Sequence, residues 1–136
     1  MKNVGLGRLG TLVKPIKISD LVNRVKNYLN MKTFRLALAN GKDLDDYVST
    51  IAVGAGCCSD LLNDVKADFI ITGEFLHEEI LHECSRGISM ILTDHSNTER
   101  GYQQIFKKRL IDALGSSNQS IEIIVSSVDR DPLEYK

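Results

Sequence analysis

Hydrophobic positions between residues 18 and 29 recur at the spacing of an α-helix. At about 100° per residue they fall on one side of the helix, and the polar positions fall on the other. The apolar positions are Ile18, Leu21, Val22, Val25, Tyr28 and Leu29. This pattern predicts an amphipathic helix over residues 18–29.

Short apolar runs alternate with helical stretches through the rest of the chain. Runs such as 69–71 and 88–92 are apolar on both faces, which is typical of strands in a largely parallel sheet covered by helices. The sequence predicts strands over residues 33–39, 48–53, 67–72, 88–93 and 121–125, and helices over 59–65, 76–86 and 98–114. Residues 4–13 are predicted to be extended or turning. We therefore expect one α/β domain over residues 1–136, with a largely parallel or mixed sheet of about five strands.

Composition narrows the class of protein. The chain has 136 residues, is 43% hydrophobic and 26% charged, and carries a net charge of −1. Both signs are interspersed, so we expect no direct binding to a nucleic-acid backbone and no membrane-surface patch. No apolar run is long enough to cross a bilayer. Three cysteines without a disulfide framework suit a reducing compartment, and we expect a cytoplasmic protein with the nucleus as a second possibility.

Three predicted strand ends carry groups capable of chemistry. They are residues 56–59, 72–74 and 94–99. In a largely parallel sheet, ligands gather at the carboxyl ends of the strands, so these three segments are expected to lie together.

His95 and Glu99 are four residues apart at the third of these strand ends. If the helix begins near His95, both side chains project from the same face of its first turn. Imidazole and carboxylate together suit a zinc, iron or manganese ion. The alternative is a capping box, in which Ser96 caps the helix and the Glu99 carboxylate bonds back to it. The spacing leaves both interpretations open.

The predicted helix over residues 76–86 carries two histidines. Its apolar positions, Leu76, Ile80, Leu81 and Cys84, cluster on one side with His77 among them. Glu78, Glu79, His82 and Glu83 project away, so we expect these four side chains to be exposed.

Two further segments have simpler structural interpretations. Cys57 and Cys58 open a helix after a strand, a position that lowers the pKa of a thiol, but small packing residues in a tight turn are the favoured interpretation. Asp129, Arg130 and Asp131 are expected to form a charged turn near the end of the chain.

Several runs together resemble the Nif-three-like family (Ngg-one interacting factor three-like), also catalogued as GTP cyclohydrolase I type two. The matching runs, in the family's order and spacing, are Gly5-Leu6-Gly7-Arg8, Thr72-Gly73-Glu74, His95-Ser96-Asn97-Thr98-Glu99-Arg100-Gly101 and Asp129-Arg130-Asp131-Pro132-Leu133. The run from His95 to Gly101 is similar to the eukaryotic branch.

The resemblance implies a fold of two lobes with a pair of divalent metal ions between them. It also implies metal-dependent hydrolase activity and ring-shaped homo-oligomers, often hexamers. His95 and Glu99 take the positions of the family's C-terminal metal ligands. Thr72, Glu74 and His77 would lie behind those ligands or against the substrate. The metal would be iron, zinc or manganese.

The chain resembles only the second half of the family. The remaining ligands, an adjacent histidine pair and a further histidine and aspartate, belong to an N-terminal metal-binding lobe that this sequence lacks. Glu78 also stands where the family has a second histidine. We therefore expect half a metal site, inactive alone, and an exposed apolar patch near the strand ends. The alternatives are a non-enzymatic protein-interaction domain, as the family's name permits, or a fragment without independent activity.

Overall fold

The computed structural model describes residues 5–115 and 121–133 and is built on a mixed five-stranded sheet. The strands are β1 (Arg8–Lys17), β2 (Arg35–Ala37), β3 (Tyr47–Val53), β4 (Phe69–Thr72) and β5 (Ser89–Leu92), in the spatial order β1-β3-β4-β5-β2. The three central strands are parallel, and both edge strands pair antiparallel to their neighbours. The predicted fold class is confirmed.

Four helices accompany the sheet: α1 (Ile18–Leu29), α2 (Ser59–Leu62), α3 (His77–Ser85) and α4 (Tyr102–Leu114), with a 3₁₀ turn at Ser96–Thr98. Neighbouring residues on a strand face opposite sides, so Phe69 packs with α1 while Ile70 packs with α2 and α3. No helix within residues 5–115 and 121–133 has the length and apolar character to cross a membrane.

The fifth strand is not the one that the sequence pattern predicts. Residues 121–125 form no strand; Ile123, Ile124 and Val125 instead line a cleft with Phe106 and Leu110 of α4. The edge position belongs to β1, which the sequence predicts only as extended or turning. Pro15 is tolerated there because the pairing with β3 is interrupted between Thr11 and Ile16.

The predicted orientation of the helix over residues 76–86 is correct only in part: Cys84 is buried and Glu78 and His82 are exposed, as expected. Leu76 and Leu81 are 61% and 59% exposed, whereas the carboxylate-bearing Glu83 is completely buried. Glu83 accepts hydrogen bonds from the Asp64 backbone N–H at 3.1 Å and from Arg86 at 2.8 Å. These partners compensate the burial of the charge, because a buried carboxylate needs both donors and an opposite charge.

Asp68 joins the beginnings of β3 and β4. Its Oδ2 accepts hydrogen bonds from the backbone N–H groups of Ser49 (2.7 Å) and Thr50 (2.8 Å). Burial alone would raise the pKa of Asp68, but these two donors outweigh it and hold the pKa below its usual value. The ionised form is therefore favoured by folding.

Replacement of this carboxylate should produce a stability loss that depends on pH. At pH 7 we expect Asp68→Asn to lower the free energy of unfolding by about 1 kcal/mol, a value already reduced for solvent exposure. Since the pKa is lowered in the folded state, the stabilisation is present above the unfolded pKa and disappears as the pH falls through the folded one. Urea unfolding at pH 7 and pH 3 measures this, with Asp112→Asn on α4 as control. An equal loss at both pH values would contradict it.

Candidate functional site

The three loops that follow the parallel strands meet at one end of the sheet, as their placement predicts. The carbonyl of Gly56, after β3, accepts hydrogen bonds from the N–H groups of Gly73 (3.1 Å) and Glu74 (3.2 Å), which follow β4. The N–H of Gly56 donates to Thr98 Oγ1, after β5, at 2.7 Å. Gly56 is thus the point at which the loops are joined.

His95 lies between two carboxylates at this junction. Its Nδ1 is 2.9 Å from Glu74 Oε2, and its Nε2 is 3.6 Å from Glu99 Oε1. An ionised carboxylate can only accept, so Nδ1–H is the donor to Glu74, and Nε2 is the ring atom that faces Glu99. All three side chains are about half exposed.

The electrostatics of this cluster favour a positive charge. The hydrogen bond to Glu74 raises the pKa of His95, and the negative charge of Glu99 raises it further, while burial opposes them. The same field that stabilises a proton on the imidazole also stabilises a bound cation.

His95 and Glu99 both pack closely against Gly56. Its φ is +69°, and a Cβ at this position would lie 2.9 Å from His95 Nε2 and 2.9 Å from Glu99 Oε1. A zinc ion with ligand bonds of about 2.0–2.2 Å and tetrahedral angles separates its ligand atoms by about 3.4 Å. The observed 3.6 Å between the two atoms fits that separation.

The capping-box interpretation of this segment is wrong. Residues 96–98 form a 3₁₀ turn, and α4 begins only at Tyr102, so His95 and Glu99 flank the turn. The Glu99 carboxylate faces His95, and the described residues show no side-chain cap at the turn. The Ser96 hydroxyl instead donates to Asp131 at 2.5 Å.

Residues 129–131 contact the site. The sequence predicted a charged turn here but did not predict this contact. Asp131 contacts Ser96, and Asp129 accepts from Arg100 Nε at 2.8 Å. The hydrogen bond from Ser96 lowers the pKa of Asp131, and the N–H of Leu133 adds to the effect. The sequence did offer one signal, because residues 95–101 and 129–133 both belong to the family resemblance. That resemblance did not indicate that the two segments are in contact.

Two other residues singled out in the sequence lie apart from the His95 imidazole. Thr72 is completely buried, and its hydroxyl donates to the Gly56 carbonyl at 3.4 Å, behind the loop junction. His77 is exposed at the first residue of α3, so its expected place among the apolar side chains is wrong. Within residues 5–115 and 121–133, no hydrogen bond or ion pair joins His77 to His95.

Of the two adjacent cysteines in the same loop, Cys58 packs against the core. The Cys58 thiol donates to the Ala55 carbonyl at 2.9 Å, and burial raises the pKa of this thiol, so the expected lowering is wrong for Cys58. Cys57 is exposed and pairs through its backbone with Glu74.

A second group of potential ligand atoms lies where α3 meets the loop after α2. Atoms of Asp64, His82 and Glu83 fall within 4.8 Å of one another. Arg86 Nη1 already lies 2.8 Å from Glu83 and 3.3 Å from Asp64. Because the Arg86 guanidinium contacts both carboxylates, the group is better described as an ion-pair network. His82 is exposed, as its position on the helix predicts.

An apolar groove of about 420 Å³ adjoins the loop junction. It lies between α1 and the carboxyl ends of β3 and β4, and its walls include Val25, Leu29, Val53 and Ile71. Thr98 lines the groove and also holds the Gly56 loop. The expected exposed apolar surface near the strand ends is therefore present.

Comparisons with known proteins agree on one family. The family model described as Duf34/NIF3 (NGG1p interacting factor 3) matches residues 1–132. The chain is 41% identical over 133 residues to "NIF3-like protein 1" of Homo sapiens, covering 97% of this chain and 34% of that protein. It is 35% identical to "Protein NIF3 homolog" of Schizosaccharomyces pombe, covering 95% and 46%.

Solved structures show the same fold. A Bacillus cereus protein related to NIF3 superposes with a TM-score of 0.83 at 24% identity, covering 97% of this chain and 36% of that one. A Staphylococcus aureus protein gives a TM-score of 0.78 at 21% identity, covering 97% and 42%. The chain thus spans about a third of the length of the mammalian relatives that it matches.

Proposed function

Because the chain belongs to the Duf34/NIF3 family, we propose that it contributes the His95–Glu99 half of a divalent-metal site in a metal-dependent hydrolase. The observation that carries this proposal is the arrangement around Gly56. His95 Nε2 and Glu99 Oε1 lie 3.6 Å apart, and both pack so closely against Gly56 that a Cβ there would clash with them. Imidazole and carboxylate are suitable ligands for zinc, iron and manganese.

Glu74 is proposed as the residue that orients His95. A ligating histidine commonly donates its second ring N–H to a carboxylate, which fixes the tautomer and makes the other nitrogen a better ligand. The 2.9 Å contact between His95 Nδ1 and Glu74 Oε2 has this form. Thr72 would act only indirectly, through the Gly56 carbonyl.

The chemistry of the complete site requires more ligands than this chain offers. A bound divalent metal would activate water for hydrolysis, in the dinuclear form that the family resemblance implies. Two ligands alone do not fix a catalytic geometry, so this chain should bind metal weakly and show no turnover by itself. A tight, stoichiometric metal on the purified chain would contradict this part of the proposal.

Replacing Glu74 tests the orienting role without removing a ligand. We expect Glu74→Gln to weaken Zn²⁺ binding about tenfold, because the neutral amide holds the His95 ring less firmly. NMR titration of ¹⁵N-labelled protein with Zn²⁺ measures the apparent Kd. Glu78→Gln, an exposed change on α3, is the matched control and should leave the Kd unchanged. Equal values for Glu74→Gln and the unmodified chain would overturn the orienting role.

A protein-interaction function is the second proposal, and the apolar surface supports it. No residue of α4, which the structure describes completely, is buried, and Tyr102, Ile105 and Phe106 are about half exposed. Together with the groove beside Thr98, this face suits a homo-oligomer, including a ring or hexamer, or another protein partner. The free cysteines suit the reducing cytoplasm or nucleus.

A further inference from the structure

The segment that joins the two proposed ligands is tethered at both ends by residues far along the chain. Ser96, which directly follows His95, donates from its hydroxyl to Asp131 Oδ2 at 2.5 Å. Arg100, which directly follows Glu99, donates from Nε to Asp129 Oδ2 at 2.8 Å. Each tether therefore holds the immediate neighbour of one proposed ligand.

Besides the tethers, the segment is held by the hydrogen bond from the Gly56 N–H to Thr98 Oγ1 at 2.7 Å and by the contact of His95 Nδ1 with Glu74 at 2.9 Å. Its own structure is a three-residue 3₁₀ turn, and such short turns are weak in isolation. One side-chain hydrogen bond, from Asn97 Nδ2 to the Thr93 carbonyl at 2.8 Å, connects it to the end of β5. On its other side lies α4, which has no buried residue in its fully described length and so offers no firm anchor.

Both tethers involve ionised groups of limited exposure. The side chains of Arg100 and Asp129 are 25% and 35% exposed, so their ion pair is stronger than a fully solvated one. A second bond, from Arg100 Nη1 to Asn97 Oδ1 at 2.6 Å, ties the same guanidinium into the turn. Hydrogen bonds to ionised acceptors are roughly twice as strong as neutral ones.

We infer that Asp129 and Asp131 are positioning residues, which hold the segment between His95 and Glu99 in the conformation that brings the two side chains together. The effect on metal binding rests on the proposed function, whereas the ordering of residues 95–100 does not. If the tethers only docked residues 129–133, removing them would leave the order of residues 95–100 unchanged. The response of these residues to metal would be unchanged as well.

The test combines two measurements on the full chain. ¹⁵N relaxation reports the order of residues 95–100, and Mn²⁺-induced broadening of the Gly56 amide reports metal binding from a different loop. The variants are Asp131→Ala, Ser96→Ala and Ser96→Thr, which keeps the hydroxyl. Asp112→Ala, which removes an exposed carboxylate from α4, is the matched control.

In Asp131→Ala and Ser96→Ala, the order parameters of residues 95–100 should fall from about 0.85 to below about 0.6. The Mn²⁺ concentration for half-broadening should rise about tenfold. Ser96→Thr and Asp112→Ala should match the unmodified chain, and strand amides should stay ordered in every variant.

Unchanged order in Asp131→Ala would overturn the inference. An equal loss of order in the strands would also overturn the inference, because Asp131→Ala would then disorder the whole protein and not residues 95–100 in particular. If the unmodified chain shows no Mn²⁺ response but Asp131→Ala still disorders residues 95–100, the positioning role stands and the metal proposal fails. Failure of Ser96→Thr to restore order would show that the hydroxyl is not the contact, and would also overturn the inference.

Discussion

Gly56→Ala should abolish the metal response of this chain. The added methyl group would lie 2.9 Å from His95 Nε2 and 2.9 Å from Glu99 Oε1, which is too close, so it pushes the two side chains out of the arrangement proposed to hold the ion. The change also forces a non-glycine residue to adopt a φ of +69°, which costs about 1 kcal/mol or more. NMR titration with Zn²⁺ should show no shift at Glu99 or Thr98.

Gly41→Ala separates these two effects. Gly41 has a similar φ of +78°, but no described atom lies within 4 Å of the position that its Cβ would take. It should therefore lower the free energy of unfolding by a similar backbone penalty while leaving Zn²⁺ binding intact. Retention of the Zn²⁺ response in Gly56→Ala, or its loss in Gly41→Ala, would show that the close packing of His95 and Glu99 against Gly56 is not what metal binding requires.

Glu83→Ala should be the most destabilising single change on α3. The Glu83 side chain is completely inaccessible, and its removal takes the acceptor from the Asp64 N–H and leaves the Arg86 guanidinium with only its longer contact to Asp64, at 3.3 Å. Breaking a buried ion pair costs about 3–5 kcal/mol, and the 30% exposure of Arg86 reduces the expected loss to about 2–3 kcal/mol. Urea denaturation measures the difference.

Glu78→Ala is the matched control, because Glu78 is exposed on the same helix. It should change the free energy of unfolding by less than about 0.5 kcal/mol. Glu83→Gln keeps the shape and one acceptor oxygen, and should fall between the two. If Glu83→Ala and Glu78→Ala were equally mild, the buried network around Arg86 would not contribute to stability.

The central strands β4 and β5 could be predicted because each is marked by an apolar run of neighbouring residues. The apolar runs at 69–72 and 89–92 can only be buried on both faces, so β4 and β5 follow from composition and length. The edge strand β1 could not be predicted, because its glycines and Pro15 obscure the alternation of apolar and polar residues that marks a strand. Residues 121–125 do have an apolar pattern, but they line a cleft with α4 in place of joining the sheet, and Ile124 remains 72% exposed.

In the candidate site, too, local features could be predicted from the sequence and long-range contacts could not. The spacing of His95 and Glu99 is visible in the sequence, and their role as a ligand pair stays a prediction. The contacts that shape the site are long-range, such as His95 with Glu74 and Ser96 with Asp131. The burial of Glu83 likewise depends on Asp64, nineteen residues away, so the helical pattern alone could not indicate it.

The central claim is that a divalent ion binds between His95 and Glu99, and the position of bound Mn²⁺ tests it most directly. Paramagnetic broadening across the ¹H–¹⁵N spectrum locates the ion, because the effect falls steeply with distance. We predict that the amides of Gly56, His95 and Glu99 broaden first and that His95→Ala removes the effect. Broadening centred on Asp64 and His82, or no selective broadening at all, would contradict the claim.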